Sequence, residues 1–592
     1  MAKGLLAGFA TPQQFENLCK QIEFRPESAA SADQVAFFSC DEPNSHVERF
    51  DQLTVLVRGY AVLPGFNSIS RPEDFARHVR AQYEKDHRSC SVKDCEGNFS
   101  VVVLDAQRAT IWAYRNIASN RYTYLHQAEN HVLVSSNLAI LSRCADLKPN
   151  PRSLPSLFMF RTCPGSETLF QEAKRLLPGQ SLQVDRAECK IEQALTFADL
   201  ASPPSTKTVT SEDAVRQWNG LFDTVHRDIA QIDPAAVTLL SGGVDSCMVH
   251  AHWMNESNIP STQTASMSIA TEAEETQADT QYAQTAAKHF GSRHEFVTAS
   301  GDYLPYLVED IRRTAEPPNH VQGVFYRYLA KRMAEKGIKT GLNGEGADSL
   351  FGTPKTDVIR RAQKIRRMVP VSPARNLLGS LLGAAGKEYW QQAFELSNFF
   401  DDISNEKHPV NSGAVWTNRD AVNACFGETA SGEALAYRRE LLNQFRVRDN
   451  PLNQSHAQTL LAEGIDAATL WTSIFHQEGI DLICPFLDSR VIRFALSLPN
   501  DVRFHYRDPK RLLKQNLLQY MPRELVYRKK LGFGQPIFRW MQPGGQLRNE
   551  IDQLEISRHP YLTEDVLKRE RDQPTWFLFT LLCYDVWLRE FG

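Results

Sequence analysis

No apolar run along the 592 residues reaches the roughly 20 needed to cross a bilayer, so no membrane span is expected. The short apolar stretch Gly4 to Ala10 leads into polar Gln13-Gln14 without a small-residue cleavage signal, and we read no signal peptide there. Cysteine is irregular: there are eleven, an odd number, and the closest pair, Cys90 and Cys95, lacks the C-x-x-C spacing of a zinc or redox site. Reduced, mostly buried thiols in a cytoplasmic protein are the expectation. Excess charge is missing too. A formal net charge of -4 and a pI near 6.5 give no electrostatic case for a nucleic-acid partner. There is no internal repeat, no low-complexity tract and no G-x-x-x-x-G-K-S/T string, which speaks against a Walker-type NTPase.

What is present is an ordinary enzyme-like composition, 42% hydrophobic and 23% charged, in a chain long enough for two or three domains. Strand-like alternation marks Leu53 to Val57, Phe99 to Leu104, Thr110 to Tyr114 and His131 to Val134, with a helix over Pro72 to Glu84. This predicts an α+β domain with antiparallel sheets. Leu200 to Thr210, rich in Ser, Pro and Thr, reads as a linker. Beyond it a strand at Ala235 to Leu240, a helix from Ser246, a strand at Thr264 to Ile269 and a helix over Glu275 to Phe290 predict a parallel, doubly wound sheet. From about Pro354 the chain reads as helical. A basic stretch there (Lys355, Arg360, Arg361, Lys364, Arg366, Arg367) is either a solvated helix face or a contact for an acidic substrate or carrier.

The apolar strand runs directly into Ser241-Gly242-Gly243-Val244-Asp245-Ser246. A strand, a glycine turn and a helix N-terminus make an anion cradle, because backbone N–H groups and the helix dipole both favour negative charge. Gly242 and Gly243 permit positive φ and close approach of phosphates, Ser241 and Ser246 add hydroxyls, and Asp245 can hold Mg2+. ATP is the expected ligand; Ser268, in the next strand, is counted among its contacts.

The string resembles the PP-loop of ATP pyrophosphatases, which cleave between the α and β phosphates and leave an adenylated substrate. Three further motifs follow: Leu342 to Gly352 (LNGEGADSLFG), Pro485-Phe486-Leu487-Asp488, and Arg528 to Phe533 (RKKLGF). Together they resemble the asparagine synthetase and β-lactam synthetase superfamily. The resemblance implies an N-terminal Ntn-hydrolase-like α+β sandwich (1–205), then an α/β PP-loop synthetase domain (206–592) with a helical C-terminal part. It implies ATP and Mg2+, with Asp245 and Asp348 as metal ligands and Lys530 steadying transition-state charge. Lys510 also matches a family lysine, but a helix-surface role suits it equally well. Glu345 stands where asparagine-forming enzymes carry a glutamate and β-lactam synthetases a tyrosine, and could accept a proton from an attacking amine. Asp481 replaces a glutamate found in many relatives and Ile483 an arginine; we expect Asp481, with Glu345 and Lys530, at the catalytic centre of a pocket altered for another acyl substrate.

The glutamine-dependent relatives open Met-Cys, whereas this sequence opens Met1-Ala2-Lys3-Gly4. The family's Asn-Gly-Glu becomes Arg58-Gly59-Tyr60, its Gly-Asp becomes Gly97-Asn98, and its Arg-Asp-x-x-Gly-x-x-Pro becomes Arg115 to Tyr122 (RNIASNRY). We therefore expect a glutaminase-dead scaffold, a pattern shared with β-lactam synthetases and resembling the cyclases of lasso peptides. The expected function is an AMP-forming amide ligase of specialised metabolism (antibiotic biosynthesis), acting on a small-molecule or peptide carboxylate and an amine, within one molecule or between two. The alternative is an amidotransferase using free ammonia or ammonia from a separate glutaminase. A carrier or precursor-peptide partner and a homodimer stay open.

Overall fold

The computed structural model describes residues 2–22, 25–30, 34–87, 92–129, 131–201, 209–256, 264–270, 274–299, 303–318, 320–398, 417, 419–444, 459–505, 508–528 and 536–592. The alternating N-terminal segments form twelve strands: β1 (Leu5–Ala10), β2 (Glu27–Ala30), β3 (Val35–Cys40), β4 (Ser45–Phe50), β5 (Leu53–Val62), β6 (Glu96–Asp105), β7 (Thr110–Arg115), β8 (Tyr124–Ala128), β9 (His131–Ser135), β10 (Ala173–Arg175), β11 (Gln180–Val184) and β12 (Cys189–Gln193). They make two six-stranded sheets, ordered β10-β8-β9-β1-β3-β2 and β12-β11-β7-β6-β5-β4. The short apolar run Gly4 to Ala10 is thus the inner strand β1.

Side-chain alternation decides which layer each residue fills. Leu5, Ala7 and Phe9 of β1 meet Leu56, Val102, Leu104 and Ile111 between the sheets. Leu6 and Ala10 turn the other way, onto Phe15 and Leu18 of the Pro12–Gln21 helix and onto Leu138 and Leu141. On the far side of the second sheet, Val55, Val57, Phe99 and Val101 pack on Phe75, Val79 and Tyr83 of the Pro72–Lys85 helix. That helix opens with Pro at its first position and Glu73 and Asp74 in its first turn, both suited to the positive end of the dipole. The result is a four-layer α-β-β-α sandwich, as the α+β reading anticipates.

Residues 202–208 of the expected linker, and with them the boundary between 205 and 206, lie outside the described residues. The next helix, Ser211–Ile232, is capped by Thr210, whose hydroxyl accepts from Asp213 N–H at 3.0 Å. Then come β13 (Val237–Leu239), β14 (Ser266–Ala270), β15 (His294–Thr298), β16 (Thr340–Leu342) and β17 (Asp481–Ile483). All five are parallel, in the order β15-β14-β13-β16-β17. β13 is shorter than Ala235 to Leu240 because an Asp233 turn, accepting from Ala235 N–H, takes its start, while Ser241 already belongs to the following loop. Successive strands run outward on one side of β13, and the chain then returns to place β16 on the other. Ligands bind beyond the C-terminal strand ends at such a switch point.

The rest is largely helical. In the basic helix Pro354–Met368, Arg360 donates to the Phe504 carbonyl at 2.8 Å and Arg361 stacks 4.1 Å from the Trp390 ring centroid, so two of its cations hold helices together. Among the described residues no helix is long and apolar enough to cross a membrane. The described cysteines are free thiols, most of them buried; Cys90 lies outside the described residues.

Candidate active site

The glycine turn after β13 is shaped by its sequence. Gly242 has φ +72°, and a Cβ there would lie 2.7 Å from the Ala283 backbone nitrogen, so only glycine fits. The helix Val244–Glu256 starts inside the motif, two residues earlier than the expected Ser246. Ser246 Oγ accepts from Ser241 N–H at 3.1 Å and lies 3.0 Å from Ser241 Oγ. Arg528 Nε donates to the Gly242 carbonyl at 2.9 Å, and its guanidinium lies 4.0 Å from the Tyr282 ring centroid. The turn is therefore held from outside as well as from within.

A cleft of about 310 Å³ opens beside it, at the switch point between β13 and β16. Ser241, Asp245, Ser246, Ser268, Glu345 and Asp348 all line it, so six of the expected site residues are brought together. Gly242 and Gly243 form the turn behind them. Gly344 lets the second loop close on the first, since a Cβ there would lie 3.0 Å from the Asp245 carbonyl carbon. Glu345 N–H donates to Asn343 Oδ1 at 3.0 Å, an Asx-type contact that fixes this loop. Ser268 Oγ lies 3.0 Å from His294 Nε2, while Ser266 Oγ lies 2.8 Å from His294 Nδ1. Burial pushes His294 down to about 4, so the imidazole is neutral and bridges the two hydroxyls as donor on one side and acceptor on the other.

Lys510 is the residue that sequence reasoning undervalued. It is buried, adopts the left-handed conformation at φ +60°, and places Nζ 2.6 Å from both Asp245 carboxylate oxygens and in contact with Asp348 Oδ1. Burial alone would push the ammonium down, but Asp245 and Asp348 outweigh it and hold the pKa well above the ordinary lysine value. Two carboxylates that grip one cation converge on one point. Their oxygen donors are of the kind that a hard cation such as Mg2+ takes.

Two expectations fare differently. Lys530 lies outside the described residues; of its motif, Arg528 is the part described. Asp481 is corrected: it does not line the cleft. It is buried on β17, where Arg121 Nη2 donates to it at 2.6 Å, Asn44 Nδ2 at 2.9 Å, and His476 Nε2 lies at 3.2 Å. Burial would raise its pKa, but Arg121, His476 and Asn44 together lower it. A β-strand alternates faces, and Asp481 points to the N-terminal domain.

A small crevice lies where that domain meets the Asp466–His476 helix. Lys3, Glu42, Arg58, Asn120, Arg121, Tyr122 and His476 surround only about 10 Å³ of space, room for one water. Arg58, 1% exposed, donates to Glu42 at 2.6 Å and to the Tyr122 carbonyl at 2.9 Å. Asn98 Nδ2 donates to the Leu487 carbonyl at 3.0 Å and Asn120 Nδ2 to the Leu482 carbonyl at 3.1 Å. Residues that depart from the glutamine-binding pattern, Arg58 and Asn98, thus fill the crevice or join the domains.

A family model described as asparagine synthase matches residues 220–576, and one described as a glutamine amidotransferase domain matches residues 79–194. The chain is similar to a Mycobacterium tuberculosis (strain H37Rv) protein provisionally named a glutamine-hydrolyzing asparagine synthetase, 24% identical over 428 residues, 67% of this chain. The match spans 60% of that relative's length. It is also similar to glutamine-hydrolyzing asparagine synthetases 1 and 3 of Bacillus subtilis (strain 168). These are 21% identical over 79% of this chain and 72% of the relative, and 22% identical over 83% and 76%.

Proposed function

This chain belongs to the asparagine synthase family, and on that premise we propose that it is an ATP-dependent, AMP-forming amide ligase that takes no ammonia from glutamine. The observation that carries the reading is the convergence of Asp245, Asp348 and Lys510 at the mouth of the glycine turn. The turn's N–H groups and the helix start cradle the triphosphate. Asp245 and Asp348 would hold Mg2+, which when bound would supply positive charge against the departing pyrophosphate. Lys510, displaced from its carboxylates, is in reach to neutralise phosphate oxygens, with Lys530 as the second cation by family resemblance. A substrate carboxylate attacks the α-phosphate and forms an acyl-adenylate. Glu345, lining the same cleft, takes the proton from the amine that then displaces AMP.

The filled crevice around Arg58 supports an amine carried by the substrate itself, giving a lactam, macrolactam or intermolecular amide in specialised metabolism. A second reading, an amidotransferase fed by free ammonia, is favoured by the carboxylate at Glu345. The test is hydroxylamine trapping of activated carboxylates, read by mass spectrometry, with ammonium added and withheld. Hydroxamates formed only in the presence of ATP and Mg2+ support adenylation. Amide product that appears only with ammonium selects the second reading, and absence of hydroxamate with every acid offered counts against both.

A further inference from the structure

The cleft has two chemically distinct ends. One is the glycine turn with its hydroxyls and carboxylates. The other, around Glu345, is built from Gln322, Phe325 and Tyr326 of the Gln322–Glu335 helix and from Trp471 of the Asp466–His476 helix. Tyr326 and Trp471 lie 4.8 Å apart between ring centroids, and Phe475 backs Tyr326 at 5.9 Å. The Tyr326 hydroxyl accepts a long hydrogen bond, 3.5 Å, from Asn343 Nδ2. Trp471 is buried and lines the cleft; its indole N–H is turned into the protein, so the indole meets the cleft with its apolar surface.

We propose that the acyl substrate is an acid carrying an aromatic or bulky apolar body beside its reacting carboxylate, and that Tyr326 and Trp471 select it. The proposal rests on the adenylation reading above. If Glu345 receives the amine's proton, the acyl carbon lies beside Glu345, and the groups next to it face the rings of Tyr326 and Trp471. A free α-amino acid such as aspartate would bring an ammonium and a second carboxylate against the faces of the Phe325, Tyr326 and Trp471 rings, which replace none of the hydrogen bonds those groups lose from water, while Glu345 is taken up with the attacking amine. An aromatic or branched body is instead desolvated favourably and can stack on the rings.

The experiment is ATP–pyrophosphate exchange by the full chain with Mg2+, comparing 3-phenylpropanoate with L-aspartate at equal concentration. ATP affinity is measured separately with a fluorescent nucleotide. The expected result is at least about tenfold more exchange with 3-phenylpropanoate. Trp471→Ala should raise the KM for 3-phenylpropanoate about tenfold or more while nucleotide affinity holds; Trp471→Phe should recover most of the loss. Nucleotide binding combined with equal or greater exchange for L-aspartate, or with no exchange for 3-phenylpropanoate, would overturn the substrate class and leave the adenylation reading standing. Absence of nucleotide binding by the wild-type chain would overturn both.

Discussion

Lys510 lies between the carboxylates of Asp245 and Asp348 before any ligand arrives, and its single positive charge offsets part of their two negative ones. Replacing that cation unbalances them in a measurable way. Lys510→Met should lower pyrophosphate-forming turnover by about 10²–10³-fold, the usual scale for losing one preorganised charge. The same variant should bind Mg2+ more tightly without nucleotide, because the ammonium no longer competes for both carboxylates; titration calorimetry reads this directly. Asp481 makes the opposite kind of prediction. Arg121→Met strands its carboxylate in the interior and should cost about 3–5 kcal/mol in urea unfolding. The folded pKa of Asp481 lies below that of the unfolded chain, so its contribution is present above the ordinary carboxylate range and is lost as pH falls through the folded value. In Arg121→Met this share of the acid sensitivity should vanish. Asp245, Asp348 and Glu345 were legible because each sits in a glycine-rich string whose chemistry is local. Lys510 was legible only as one of two equal readings, a family lysine or a helix-surface residue, because its partners Asp245 and Asp348 lie far from it in sequence. Asp481 misled because nearness to a motif in sequence does not say which face of a strand a side chain takes.

Elements were read best where one period ran long enough to be unambiguous. The strands β5, β6 and β7 and the Pro72–Lys85 helix fall where alternation and an N-terminal proline put them. The strands β1 to β4, β8 and β10 to β12 were not read as strands: most are short, and several carry too few alternating apolar residues to stand out. The glycine turn allows a sharp test. Gly242→Ala places a Cβ against the Ala283 backbone at a positive φ, and should cost about 1–3 kcal/mol of stability and most of the nucleotide affinity. Thermal unfolding with and without ATP separates the two effects, since the variant should lose the ligand-dependent part of the shift. In the neighbouring strands His294 is held neutral between Ser266 and Ser268, its folded pKa about 4 against the ordinary 6.5. The stability that this burial contributes is full above the ordinary value and drains away as pH falls from there towards 4. His294→Gln should flatten that portion of the acid-unfolding profile.

Across the whole molecule the N-terminal sandwich braces the five-stranded parallel sheet. Lys3 and Gln477 exchange hydrogen bonds at 2.8 and 3.0 Å, Arg121 and Asn44 hold Asp481, and Asn120 reaches the Leu482 carbonyl. These contacts land on β17 and the helix before it, the elements that flank the cleft. With Arg58 and Glu42 filling the crevice, the purified protein should release no glutamate from glutamine above the uncatalysed rate. An enzymatic rate in a coupled glutamate assay would show that this crevice opens. The domain-level arrangement was legible in the change from antiparallel alternation to alternating strands and helices. The filling of the crevice was foreshadowed by Arg58 and Asn98, but which groups they would meet depended on the packing of one domain on the other.

The most direct measurement is the identity of the nucleotide product. Incubated with ATP, Mg2+ and a carboxylate that supports exchange, the protein should yield AMP and pyrophosphate in equal amounts by phosphorus NMR, and none without the Asp245 carboxylate. ADP and orthophosphate in their place would contradict the account.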